Sequence, residues 1–163
     1  MASSSQLIEE LYDAFKECER PQHFTNYKHC WECFEHDQTM QNAALRTLSA
    51  KSMGTSGWGP LSFLTEQGFA HYMPRLIELA LANETTEYDD PFVDLLVFQL
   101  SPDNGFDRFA TYNLRQSTAI LNSLRHMLPG EILDVEDEIL SEDITQAISY
   151  WEKRVNGAAQ RSV

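Results

Sequence analysis

The chain has 163 residues, 42% of them hydrophobic and 11% aromatic, which is typical of one globular domain with its own core. Twenty-five acidic residues against twelve Lys and Arg give a formal charge of −13. Such a surface repels phosphate backbones, so we expect no nucleic-acid binding, whereas a protein partner, and a basic one in particular, suits it. No apolar run reaches the ~20 residues that span a bilayer, and residues 1–6 do not resemble a secretory signal. We therefore expect a cytoplasmic protein without a membrane partner.

The N-terminal third predicts two helices and a glycine-rich turn. The first helix begins at Ser3, which can form a capping box with Gln6, and Pro21 ends it. A second helix is predicted from Asp37 to Leu48, where apolar residues recur at helical spacing. The turn that follows is rich in glycine and carries Trp58.

The rest of the chain predicts four more helices. Thr65 is the expected N-cap of a long helix, and Pro74 inside it should kink or restart that helix. The next helix is expected to have Pro91 in its first position. The last two are expected to begin at the N-caps Asn113 and Ser141.

These elements predict an all-α or nearly all-α fold, because no segment alternates with a period of two. We expect a single compact domain of about six helices over residues 1–157 and a short flexible tail at residues 158–163. An acidic run near the C-terminus predicts a solvated turn or, alternatively, a binding site for a basic partner. It comprises Glu131, Asp134, Glu136, Asp137 and Glu138.

Histidine and cysteine concentrate in one short segment, from His23 to His36. Cys30 and Cys33 have C-x-x-C spacing, and His36 follows after the same interval. Zn²⁺ prefers four thiolate and imidazole ligands in a tetrahedron. The sequence therefore predicts a zinc site formed by His23, Cys30, Cys33 and His36. His29 is the alternative fourth ligand, less favoured because adjacent residues such as His29 and Cys30 rarely point at the same atom.

Other interpretations of this segment remain open. On a helix, His29, Cys33 and His36 would share one face. The cysteines and histidines can also be ordinary packed residues. A C-x-x-C redox pair is a further alternative, although that motif usually lies in a βαβ unit, which the sequence does not predict.

The segment also resembles a known family. The run His-Phe-Thr-x-x-x-His-Cys-x-Glu-Cys-x-Glu-His at residues 23–36 is similar to a domain of unknown function in short uncharacterised bacterial proteins. The segments 57–60 (Gly-Trp-Gly-Pro) and 68–76 also resemble that family. The resemblance covers the first half of the chain, implies no activity, and suggests that the whole His-Cys segment, including His23 and His29, belongs together.

A zinc ion with four protein ligands usually stabilises a fold, whereas a catalytic zinc keeps one position for water. We expect the structural type, which would pin the segment after the first helix to the domain, with Phe24, Trp31 and Trp58 packed around it. With only three ligands bound, Glu32 or Glu35 would be the candidate general base.

No sequence motif identifies a catalytic residue: H-E-x-x-H, G-x-S-x-G and the phosphate-binding glycine loops do not occur. The sequence therefore predicts a zinc-stabilised protein-interaction or regulatory module. One alternative is an acidic inhibitor or immunity protein that covers a basic enzyme, and another is a zinc-dependent hydrolase.

Overall fold

A computed structural model describes residues 2–55, 57–101, 107–128 and 138–161 of the chain. Within these residues the predicted all-α single domain is confirmed, since they contain no β-sheet and only isolated bridges such as that between Thr25 and Leu64. Two short 3-10 helices, Ala50–Ser52 and Pro60–Phe63, lie between α2 and α3. The six α-helices are α1 (Ser4–Ala14), α2 (Trp31–Gln41), α3 (Glu66–Leu81), α4 (Phe92–Leu100), α5 (Leu114–Met127) and α6 (Glu138–Arg161).

Three predicted N-caps are confirmed. The backbone N–H of Gln6 donates to Ser3 Oγ at 3.3 Å, and the Gln6 side chain accepts from the Ser3 N–H at 2.9 Å. Asn113 and Gln116 form the same reciprocal pair at the start of α5. Thr65 caps α3 through its hydroxyl oxygen. Each cap gives a partner to a backbone N–H that the first helical turn leaves unpaired.

The prediction for the second helix is wrong in its bounds, because α2 begins at Trp31 and ends at Gln41. Its N-cap is Cys30, whose sulfur accepts a hydrogen bond from the Cys33 N–H at 3.3 Å. The helix therefore begins inside the His-Cys segment.

Other helix boundaries also differ from their predictions. The helix α1 ends at Ala14 and not at Pro21, and Pro91 is the N-cap of α4 and not its first residue.

The helix α3 runs through Pro74 without restarting, although a proline removes the N–H that would bond to the carbonyl four residues earlier. A kink at Pro74 stays a prediction. The helix α6 begins at Glu138, so Ser141 lies inside it and is not its N-cap. It continues to Arg161, and the predicted division into a domain over residues 1–157 and a flexible tail stays a prediction.

The core lies among five of the helices: α5 packs against α1 and α6, and α3 packs against α1 and α4. The fully buried Trp151 of α6 donates its indole N–H to the Leu100 carbonyl at 3.0 Å, which ties α6 to the end of α4. The helix α2 packs mainly on the 3-10 turn Pro60–Phe63, so its N-terminus lies at the periphery of the domain.

In the described part of the chain, no helix combines the length and the apolar character that crossing a bilayer would require. Most of the acidic run falls outside the described residues, as does the side chain of Glu138; the residues concerned are Glu131, Asp134, Glu136 and Asp137.

Candidate metal centre

A buried carboxylate attaches the start of the His-Cys segment to α2. Asp37 Oδ1 accepts hydrogen bonds from the backbone N–H groups of Phe24 at 2.6 Å and Thr25 at 3.1 Å. Its Oδ2 atom lies 2.8 Å from Nδ1 of His23. These hydrogen bonds make the attachment that the sequence analysis assigned to zinc, and zinc pinning of this segment stays a prediction.

The same segment is also fixed from its other side. The Thr25 hydroxyl donates to the Cys33 carbonyl at 2.6 Å, and the Thr65 N–H donates to the Phe24 carbonyl at 2.8 Å. Residues 24 and 25 are thus held between α2 and the start of α3. The chain then turns, with the His29 N–H donating to the Asn26 carbonyl at 2.9 Å, and enters α2 at Cys30.

This turn gathers three candidate metal ligands. The ligand atoms of His29, Cys30 and Cys33 all lie within 4.8 Å of one another. The two sulfur atoms are 3.0 Å apart, and Nδ1 of His29 is 3.7 Å from the Cys33 sulfur. His29 and Cys30 are exposed, whereas Cys33 is buried. The arrangement offers two sulfurs and one imidazole nitrogen to one ion from a single turn of chain.

The two thiols differ in acidity. Hydrogen bonds from the Cys33 side chain and backbone, with a smaller contribution from His29, lower the pKa of Cys30 to about 7. The same side-chain hydrogen bond, followed by burial, raises the pKa of Cys33. Metals bind the thiolate form, and Cys30 is the more readily deprotonated of the two thiols.

The other two predicted ligands, His23 and His36, are not part of this group. His23 contacts Asp37, and its ring stacks on Tyr27 with 3.7 Å between ring centroids. His36 is buried on α2, with its ring 4.8 Å from that of Phe63. The structure thus brings Cys30 and Cys33 together with the alternative ligand His29, and ligation by His23 or His36 stays a prediction.

The aromatic residues expected around the site divide into two classes. Phe24 is fully buried in the core, 5.1 Å from Tyr72 between ring centroids. Trp31 and Trp58 instead keep 71% and 53% of their surface exposed. The expectation that both tryptophans pack around a zinc ion is therefore wrong for this structure, because they border an open surface beside α2.

Asp37 is the residue that the sequence reasoning missed. The sequence pattern predicts it as the start of a helix, whereas it lies within α2 and accepts hydrogen bonds from backbone N–H groups 13 and 12 positions upstream. No local pattern signals contacts over that distance, so only the folded arrangement identifies it.

Comparison with known proteins assigns the chain to a family. A family model described as a family of unknown function, DUF6714, matches residues 3–155. The chain belongs to that family. The match extends well past the first half of the chain, to which the sequence resemblance was confined. No curated protein and no solved structure gave a match.

Proposed function

We propose that the protein is a metal-dependent interaction module in which His29, Cys30 and Cys33 bind one Zn²⁺ ion. The observation that carries the proposal is the approach of their three ligand atoms to within 4.8 Å of one another. Thiolate sulfur and imidazole nitrogen are the donors that Zn²⁺ prefers, whereas Mg²⁺ and Ca²⁺ prefer oxygen. The donor set therefore favours zinc over Mg²⁺ and Ca²⁺.

Three ligands leave one position of the zinc tetrahedron for a group from outside the cluster. His29 and Cys30 are exposed at the N-terminus of α2, so a side chain from a partner protein has access to that position. A hydrolase would instead need an enclosed cleft that buries most of its substrate. The exposure of these two residues favours a site that joins proteins over a site that turns over small substrates.

Cobalt substitution tests both parts of this proposal. Co²⁺ bound to the full-length protein should give the intense visible bands of a tetrahedral site together with thiolate charge-transfer bands. Cys33→Ser should remove the charge-transfer intensity of one sulfur, and Cys18→Ser, whose sulfur lies outside the cluster, should leave the spectrum unchanged. A spectrum without thiolate bands would contradict metal binding here.

The same cobalt protein distinguishes an interaction module from a hydrolase. Imidazole or a thiol, which mimic a ligating side chain, should enter the fourth position and change the spectrum. In a hydrolase, the cobalt protein should also cleave ester or amide substrates, and Glu32→Gln or Glu35→Gln should abolish that cleavage. Cleavage that requires Glu32 or Glu35 would favour the hydrolase. Imidazole binding without any cleavage would support the interaction module.

A second candidate function is reversible disulfide formation between Cys30 and Cys33. Two observations favour it. The two sulfurs are 3.0 Å apart, and the exposed Cys30 is the N-cap of α2, with the buried Cys33 in the first turn of that helix. In the reaction, the Cys30 thiolate attacks a small disulfide such as glutathione disulfide and releases one glutathione thiolate. Cys33 then attacks the mixed disulfide and releases the second glutathione thiolate. The protein thus loses two protons and two electrons, which convert the glutathione disulfide to two thiols.

Mass spectrometry tests this second candidate. Metal-free protein exposed to glutathione disulfide should lose two hydrogens, and a tryptic fragment should contain a Cys30–Cys33 bond. Cys18→Ser should behave in the same way, whereas Cys33→Ser should stop at the glutathione adduct. Zinc should block the reaction, because metal and disulfide require the same sulfurs.

A further inference from the structure

An open pocket of about 430 Å³ lies beside α2, facing the glycine-rich loop that precedes the Pro60–Phe63 turn. It is distinct from the His29, Cys30 and Cys33 cluster, none of which lines it. The lining residues that carry its chemistry are Trp31, Phe34, Glu35, His36, Trp58 and Glu87. The pocket therefore combines aromatic rings with carboxylates.

Aromatic side chains form the walls of this pocket. Trp31 and Phe34 stack on one another with 5.5 Å between ring centroids. Trp58 lies 5.5 Å from the ring of His36. Trp31, Phe34 and Trp58 are exposed although they are large and apolar. Exposed apolar residues around one opening indicate an interaction site, and tryptophan is enriched among the residues that contribute most to binding energy.

The position of Trp58 is fixed by the loop that carries it. The Thr55 N–H donates to the Trp58 carbonyl at 2.8 Å, and the Trp58 N–H donates to the Thr55 hydroxyl at 3.1 Å. Gly54 has a φ of +62°, and a Cβ there would lie 2.1 Å from the Trp58 carbonyl oxygen. A Cβ on Gly59 would lie 2.2 Å from the Met53 carbonyl oxygen. The loop requires glycine at both positions, so the backbone that carries Trp58 is held in place before any ligand arrives.

The electrostatic character of the pocket is negative. Glu35 and Glu87 line it, and none of the described residues that line it is Lys or Arg. The whole chain carries a formal charge of −13. His36 adds a buried Nε2 atom, which lies 3.8 Å from Oε1 of Glu32.

We propose that this pocket binds the guanidinium group of an arginine side chain presented by a basic protein partner. A guanidinium stacks on aromatic faces and donates hydrogen bonds to carboxylates, and both kinds of group line the pocket. Because the pocket is open, it suits a side chain projecting from another surface better than a small molecule, which usually requires enclosure. The inference rests on the interaction part of the proposed function and not on the metal.

Nuclear magnetic resonance of the indole N–H groups tests the proposal in the full-length, zinc-supplemented protein. The chain has three tryptophans, and the buried Trp151 serves as an internal control. Addition of acetyl-Gly-Arg-Gly-amide should shift the Trp31 and Trp58 signals and leave the Trp151 signal in place. The same peptide with citrulline, which is neutral and nearly the same shape, should shift none. Equal shifts with the citrulline or the lysine peptide would overturn the assignment to guanidinium.

Matched variants show whether the arginine peptide binds this pocket or is attracted only by the net negative charge of the chain. Trp58→Ala should lower the affinity for the arginine peptide by about tenfold. The double variant Glu35→Gln and Glu87→Gln should lower this affinity as well. The pair Glu9→Gln and Glu142→Gln removes the same charge from exposed positions elsewhere and should have little effect. Equal weakening by both pairs, or unchanged binding by Trp58→Ala, would overturn the proposal.

Zinc analysis of the same samples keeps the two proposals apart. Protein that binds the arginine peptide but contains and takes up no zinc would contradict the metal proposal and support the pocket. Zinc-loaded protein whose tryptophan signals do not respond would contradict the pocket and support the metal site.

Discussion

Nδ1 of His23 lies 2.8 Å from Oδ2 of the buried carboxylate of Asp37. Nε2 of Gln41 donates to the same Oδ2 atom at 2.9 Å and lies 3.1 Å from Nδ1 of His23. The same carboxylate receives the N–H groups of Phe24 and Thr25. Asp37 is therefore the residue that orders the start of the His-Cys segment, and His29 is left as the histidine nearest the two sulfurs.

The first prediction concerns Asp37→Asn. Asparagine replaces one acceptor oxygen by an NH₂ group and removes the charge, so at least one buried donor loses its partner. We expect the free energy of unfolding in urea to fall by about 2–4 kcal/mol. Glu9→Gln, a comparable change at an exposed position of α1, should alter it by less than about 0.5 kcal/mol.

Chelation shows whether Asp37 acts independently of zinc. The loss caused by Asp37→Asn should persist in protein treated with a chelator, because the hydrogen bonds do not involve the metal. An effect that disappears once zinc is removed would mean that the metal, and not the carboxylate, holds residues 23–25.

The second prediction concerns thiol reactivity in metal-free protein. The pKa of Cys30 is lowered to about 7 by its hydrogen bonds with Cys33, whereas burial raises the pKa of Cys18. Iodoacetamide reacts with the thiolate, so Cys30 should be alkylated first, with a rate that reaches half its maximum near pH 7. Peptide mapping after timed quenching measures this order, and faster modification of Cys18 at pH 7 would contradict it.

The third prediction concerns the pH dependence of stability through His71. Burial, and to a smaller extent the charge of Arg20, lowers the pKa of His71 below its usual 6.5. The unfolded state therefore binds this proton more readily, so stability is complete above about pH 6.5 and is lost as the pH falls toward the lowered pKa. Urea unfolding at pH 7.5 and pH 5.5 should show this loss, and the loss should be smaller in His71→Gln. The same loss in both proteins would contradict the assignment.

Local signals explain what the sequence predicts correctly. The caps at Ser3, Thr65 and Asn113 depend on partners three residues away, and a Ser, Thr or Asn before an apolar helical pattern is a reliable mark of such a cap. The start of α2 lacks those marks, because its N-cap is a cysteine and no apolar period follows. The pattern therefore placed the helix too late in the chain.

The choice of metal ligands depends on contacts that the sequence does not display. His29 was less favoured because it adjoins Cys30, yet the turn closed by Asn26 brings it to 3.7 Å from Cys33. His23 was favoured by spacing, but it contacts a carboxylate 14 residues further along the chain. The sequence thus predicts that candidate ligands concentrate in one segment, whereas only the fold shows that His29, Cys30 and Cys33 approach one another. Ligation by His23 or His36 stays a prediction.

Zinc content measured by elemental analysis tests the central claim most directly. Protein purified without added metal or chelator should contain about one zinc per chain, as should the controls Cys18→Ser and His23→Gln. Cys33→Ser and His29→Gln should lose most of it. Folded wild-type protein that contains no zinc and takes none up would contradict the metal site, and loss of zinc from His23→Gln but not from His29→Gln would contradict the ligand set proposed from the structure.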